Sequence, residues 1–142
     1  MFSNKITSYS VTKNEFSHVN LYKEADIPEF KNITYKIVNV ESHDGTLVPM
    51  TIIHNKNLTL DGNNSVLSYS YGAFGTTVGT TFKTQYLGFV ALGGIMVYPH
   101  IRGGGAKGKK WHKDGMKENK PNSWKDLIAC IEYLVNLSLI HI

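Results

Sequence analysis

Two stretches of this 142-residue chain bring together residue types that could do chemistry. The first is Ser68-Tyr69-Ser70-Tyr71-Gly72-Ala73-Phe74-Gly75, which reads as the end of a strand running into a loop. A phenol placed there can donate its O–H to a tetrahedral oxyanion, and the small residues beside it let a substrate approach the backbone. Tyr69 and Tyr71 also read as plain core aromatics, with Tyr69 expected to sit deeper in the sheet. The second stretch, Gly103-Gly104-Gly105-Ala106-Lys107-Gly108-Lys109-Lys110, fits G-x-x-x-x-G-K after a strand. A phosphate loop needs Ser or Thr after its Lys to hold Mg²⁺, and a helix directly behind. Lys110 stands at that position, and residues 111–115 show no apolar period. The glycines therefore read as a backbone turn where no Cβ would fit.

Other catalytic patterns are missing from the chain. No Ser lies in G-x-S-x-G, so there is no nucleophile elbow. The histidines lack HxxxH or HxH spacing, and Cys130 is the single cysteine, so neither a metal site, a cofactor nor a disulfide is expected.

The elements that must position the Tyr71 loop can be read from periodicity. Residues 6–20 have the short polar-aromatic texture of a strand pair. Residues 34–41 alternate as a half-buried strand, His43-Asp44-Gly45 turns, and residues 47–54 resume as a strand whose Pro49 predicts an edge position. From residue 65 the pattern becomes strand (65–71), helix (83–92, stopped by Gly93-Gly94), strand (95–101) and helix. Trp124, Leu127, Ile128, Ile131, Leu134 and Val135 mark one face of that last helix. Ser123 and Asp126 predict a capping box, and Cys130 reads as a small core residue. Alternation of this kind implies an α/β fold with a mostly parallel sheet and crossover helices.

Composition narrows the function classes. With 42% apolar and 18% charged residues, a packed core is expected rather than disorder. The net charge of +4 rests on 14 lysines and Arg102 alone, which is poor equipment for bidentate readout of bases. Six lysines fall between Lys107 and Lys120, and a solvated loop outweighs a nucleic-acid patch. Neither a signal peptide nor a membrane span is visible, so a cytoplasmic location is expected, or a periplasmic or secreted one if a leader preceded Met1.

An ordered set of short motifs carries a family likeness. It comprises His43-Asp44-Gly45-Thr46-Leu47-Val48-Pro49-Met50, Leu60-Asp61-Gly62, Tyr69-Ser70-Tyr71-Gly72-Ala73-Phe74, Ile101-Arg102-Gly103-Gly104-Gly105 with Gly108, Trp111-His112-Lys113, Asn119-Lys120-Pro121-Asn122 and Trp124-Lys125-Asp126. In order and spacing the set resembles the catalytic domain of the prolyl oligopeptidase family of serine peptidases. The resemblance implies an α/β-hydrolase domain over residues 21–136, preceded at 1–20 by the end of a β-propeller that admits only short peptides. By match to the family motif, Tyr71 would be the oxyanion donor, Phe74 would line the pocket for the residue before the cut, and Arg102 with its glycines would be structural. The catalytic Ser, Asp and His would lie outside this chain, which alone should be inactive.

Two departures bear on specificity. Gly105-Ala106-Lys107-Gly108 and Lys109-Lys110 replace an acidic family run, and Gly72-Ala73-Phe74-Gly75 sits between the prolyl-specific and the oligopeptidase B-like branches. The resemblance thus implies a monomeric peptidase acting on short peptides, cutting after proline or alternatively after Lys or Arg, with no nucleic-acid or membrane partner. The alternative from another class is a non-catalytic basic binding module. Residues 137–142 resemble the translation of a sequencing adapter.

Overall fold

The computed structural model describes residues 7–19, 27–59, 61–79 and 83–137. The inferred boundary at residues 20 and 21, and residues 138–142 of the adapter-like segment, lie outside them. Strands β1 (Thr7–Ser10) and β2 (Glu15–His18) pair antiparallel as a two-stranded sheet of their own, matching the expected strand pair. The second sheet contains β3 (Ile33–Glu41), β4 (Leu47–Asn55), β5 (Val66–Ser68) and β6 (Ile95–Pro99), in the order β3-β4-β6-β5. Helix α1 (Thr84–Ala91) connects β5 to β6, and α2 (Gly108–Lys113) and α3 (Pro121–Asn136) follow.

The sheet is covered on both faces, and β6 shows why. Its five residues are all buried and alternate between two clusters. Ile95 and Val97 join Val40, Val48, Met50, Ile52, Cys130 and Leu134 beneath α3. Met96 and Tyr98 join Val90, with Ile53, Tyr86 and Phe89 packed alongside, beneath α1. Each fully buried aliphatic chain of this kind contributes roughly 1.5–3 kcal/mol. Cys130 is buried as expected, and desolvation first, then the charge of Asp126, pushes its thiol up to about 12.

Several expectations need correction. Only β5–β6 is parallel; β3–β4 and β4–β6 are antiparallel, so the sheet is not mostly parallel among the described residues. Strands β3 and β4 are joined by the tight turn at residues 42–46 and so run antiparallel, and only β5 and β6 are linked through a crossover helix. Pro49 lies in a central strand, not an edge. His100 N–H donates to the Pro49 carbonyl at 2.9 Å, so Pro49 occupies the last rung toward β6, where only one hydrogen bond is forgone. The carbonyl of His100 instead accepts from Trp111 Nε1 at 3.0 Å. Strand β5 ends at Ser68, three residues short of the expected end at Tyr71. A short helix does follow the glycine loop at Gly108.

The capping box does not form either. Helix α3 opens at Pro121, whose missing N–H costs nothing in the first turn, so Ser123 and Asp126 lie inside the helix. Their side chains turn inward to another task. Asp126 is fully buried and receives the Arg102 guanidinium through Nη2 at 2.6 Å and Nε at 2.9 Å. The Arg102 backbone N–H donates to the same carboxylate at 3.0 Å, and Ser42 Oγ donates to it at 2.7 Å. Ser123 Oγ donates to the Arg102 carbonyl at 2.7 Å. From the β3–β4 turn, Asp44 accepts from Nη1 at 2.5 Å. One arginine thus ties together the end of β6, helix α3 and the turn between β3 and β4.

The two carboxylates should respond differently to removal. Asp126→Asn leaves a buried guanidinium short of its counter-charge and should cost about 3–5 kcal/mol, whereas Asp44→Asn, more than a third exposed, should cost about 1 kcal/mol or less. Urea unfolding at neutral pH measures both, and equal losses would contradict this ranking. The Arg102 hydrogen bond, opposed by desolvation, holds the Asp44 carboxyl well below its ordinary 3.8. A lowered folded-state value means that Asp44's contribution is complete above the unfolded value and is lost as the pH falls below it. Stability should therefore decline between about pH 5 and pH 2, and less steeply in Asp44→Asn. Superimposable slopes for the two proteins would contradict the assignment.

Candidate functional site

Tyr71 and its loop leave the carboxyl end of β5, the end at which open α/β sheets place ligands. The loop is held by backbone packed on backbone. Gly75 N–H donates to the Gly103 carbonyl at 3.1 Å and Gly105 N–H to the Thr76 carbonyl at 3.2 Å. Gly103 has φ +91, and a Cβ there would stand 2.1 Å from the Gly72 carbonyl oxygen. At Gly105 a Cβ would stand 2.2 Å from the Gly75 carbonyl oxygen. Lys120 Nζ donates to the Gly72 carbonyl, and His112 Nδ1–H to the Gly103 carbonyl at 2.8 Å. The glycines therefore permit the contact, and Arg102 at their head fixes where it occurs.

The phosphate-loop reading fails on the same geometry. Gly103 N–H donates to Trp111 O, Gly104 to Ile101 O, Gly105 to Thr76 O and Gly108 to Gly105 O, so all four glycine amides of the loop are spent internally. Lys110 is ion-paired with Asp114 at 2.7 Å. The basic run is also partly structural. Lys107 donates to the Leu47 carbonyl at 2.6 Å and lies over the Trp111 ring, and Lys120 is tied as described.

Tyr71 lines a small cavity of about 10 Å³ together with Thr76, Thr77, Pro99, His100 and Gly104. Its ring is 43% exposed, and its hydroxyl makes no hydrogen bond among the described residues, so the O–H is available as a donor. Tyr69 is also 43% exposed rather than deeper, because β5 ends before it. Its ring meets Tyr98 edge-on at 6.3 Å. Phe74 is 84% exposed at φ +55 and lies outside the cavity, presenting a bare apolar ring at the tip of the loop. His100 bonds Thr51 Oγ1 through Nε2 at 2.9 Å, and burial lowers its proton affinity.

One Ser–His–Asp cluster does occur, at Ser42, His43 and Asp126. Ser42 Oγ lies 3.2 Å from His43 Nδ1 but gives its proton to Asp126, whose charge is already matched by Arg102. This serine has no free base and is structural. Among the described residues no group of three or more His, Cys, Asp or Glu could hold a metal, and no helix is long and apolar enough to cross a membrane.

Comparison with known proteins groups the chain with a family of peptidases. The sequence pattern of the prolyl oligopeptidase family matches residues 80–141. The chain is 35% identical to the dual-function macrocyclase-peptidase of Galerina marginata over 92% of its own length and 18% of that protein. It is 38% identical to the prolyl endopeptidase of Elizabethkingia meningoseptica over 94% of its length and 19% of that protein. In structure it superposes on prolyl oligopeptidase B from Galerina marginata with a TM-score of 0.86 at 35% identity, and on oligopeptidase B from Leishmania major with 0.83 at 26%. These matches cover 96% of this chain and 19% of each of those structures, so the chain spans about a fifth of the proteins it matches. On these matches the chain belongs to the prolyl oligopeptidase family.

Proposed function

We propose that this chain forms part of a serine peptidase that hydrolyses short peptides after proline through an acyl-enzyme, and that Tyr71 is its side-chain oxyanion donor. The observation that carries this reading is the unpaired Tyr71 hydroxyl beside a cavity, on a loop whose backbone is locked against the Arg102–Gly105 segment. Attack by serine on a peptide carbonyl concentrates negative charge on the carbonyl oxygen, and a fixed phenol stabilises that charge without reorganising. The serine, aspartate and histidine are supplied from outside residues 1–142. Phe74, bare on this chain, lines the pocket for the residue before the cut once the rest of the protein closes over it. In this reading residues 1–20 end a β-propeller and residues 21–136 open the hydrolase domain.

A second reading, cleavage after Lys or Arg, is favoured by the likeness to Leishmania oligopeptidase B. Matched fluorogenic peptides with Pro, Lys or Arg before the cut, given to the full-length protein, decide between the two. Preference for Pro supports the first reading, and preference for Lys or Arg replaces it with the second.

Two outcomes follow. Tyr71→Phe in the full-length protein should lower kcat about 10²–10³-fold, on the order of 3–4 kcal/mol, with KM changed little. A kcat within threefold of the unsubstituted protein would place the donor elsewhere. Residues 1–142 alone should not react with an active-site fluorophosphonate, because no serine among the described residues has an activating base. Stoichiometric labelling of any serine in the chain would contradict the site.

A further inference from the structure

The carboxyl end of β5 carries a second feature that the oxyanion role leaves unused. Lys83, exposed just before α1, holds its ammonium 5.1 Å from the Tyr86 ring centroid and 5.7 Å from that of Tyr69. Two ring faces orient a cation without neutralising it. Among the described residues no carboxylate pairs with Lys83. Tyr69 in turn meets the buried Tyr98 ring edge-on at 6.3 Å, which gives one of the two rings beside Lys83 a packed neighbour. Tyr69 and Tyr71 are two residues apart, at most about 7 Å along the chain. With the reach of both side chains added, the charge lies within roughly 23 Å of the proposed oxyanion donor, the span of about seven residues of an extended peptide at about 3.3 Å each.

We propose that Lys83, seated over the rings of Tyr69 and Tyr86, is a specificity-determining cation that favours peptides bearing a carboxylate within about seven residues of the scissile bond. The inference rests on the peptidase reading above. An aspartate or glutamate side chain, or the peptide's own terminal carboxylate, supplies the missing counter-charge, and the tyrosine faces cover the stem of the substrate side chain. Because Lys83 is exposed, the preference is modest and salt-sensitive.

The test uses the full-length protein and peptide pairs that are identical except for Glu or Gln at one position, scanned from one to about seven residues on either side of the cut. At one position kcat/KM should favour Glu by about two- to fivefold at low salt. Lys83→Gln should abolish that ratio while leaving the Gln peptides unaffected, and Lys83→Arg should restore it. Raising the salt to about 0.5 M should shrink the ratio in the unsubstituted protein. Cleavage with no Glu preference at any position, or a preference that survives Lys83→Gln, overturns this inference alone. Failure to cleave any peptide overturns the peptidase reading and takes this inference with it.

Discussion

The contact between Arg102 and Asp126 is the constraint on which the rest of the arrangement depends. Both side chains are almost wholly removed from water, so neither charge is tolerable without the other. Asp126 can reach Arg102 only if α3 lies where its second turn passes the end of β6. Ser42 and Asp44 can join only if the β3–β4 turn folds over the same point. With Arg102 held at its backbone N–H, carbonyl and guanidinium, the glycines after it have one course to follow. That course packs them against residues 72–76, and Tyr71 is carried at the end of the chain of contacts.

Such a buried pair contributes less to stability than to geometry. Replacing an ion pair by well-packed apolar residues is often neutral or better, whereas deleting one partner is costly. Here the polar groups around the pair are fully satisfied: no buried side-chain nitrogen or oxygen among the described residues lacks a partner. The apolar core on the two faces of the sheet supplies the bulk of the folding free energy. The arginine ties the end of β6, helix α3 and the β3–β4 turn to one point at the edge of that core. A loop that must stabilise charge in a transition state needs this kind of fixed placement, since a donor that reorients during the reaction loses much of its benefit.

Local pattern made most of the elements legible. The β1–β2 pair, β3, β4, α1, β6 and α3 all lie where alternation or helical spacing puts them, because each has one or two apolar faces and a turn signal at its end. Long-range facts were not legible in the same way. Pro49 argues for an edge when only its own strand is considered; its place on the last rung, with Trp111 taking the orphaned acceptor, depends on β6 nearly fifty residues away. Ser123 and Asp126 look like helix-cap residues because their spacing fits a cap. Their partner Arg102 is 24 residues distant from Asp126, and no local pattern reveals it. Tyr71 and Phe74 stand out in the sequence only through an ordered set of motifs, and a lone lysine before a helix, such as Lys83, carries no signal until two rings are seen around it.

If Tyr71 is the oxyanion donor, the Arg102 network must hold its loop so that the hydroxyl meets the developing oxyanion. A crystal structure of the full-length protein carrying a tetrahedral peptidyl adduct on its serine measures this directly. The account predicts Tyr71 Oη at about 2.7–3.1 Å from the adduct oxyanion, with the loop unmoved against Gly103 and Gly105. An oxyanion bound by other donors, with Tyr71 Oη more than about 4 Å away, would contradict it.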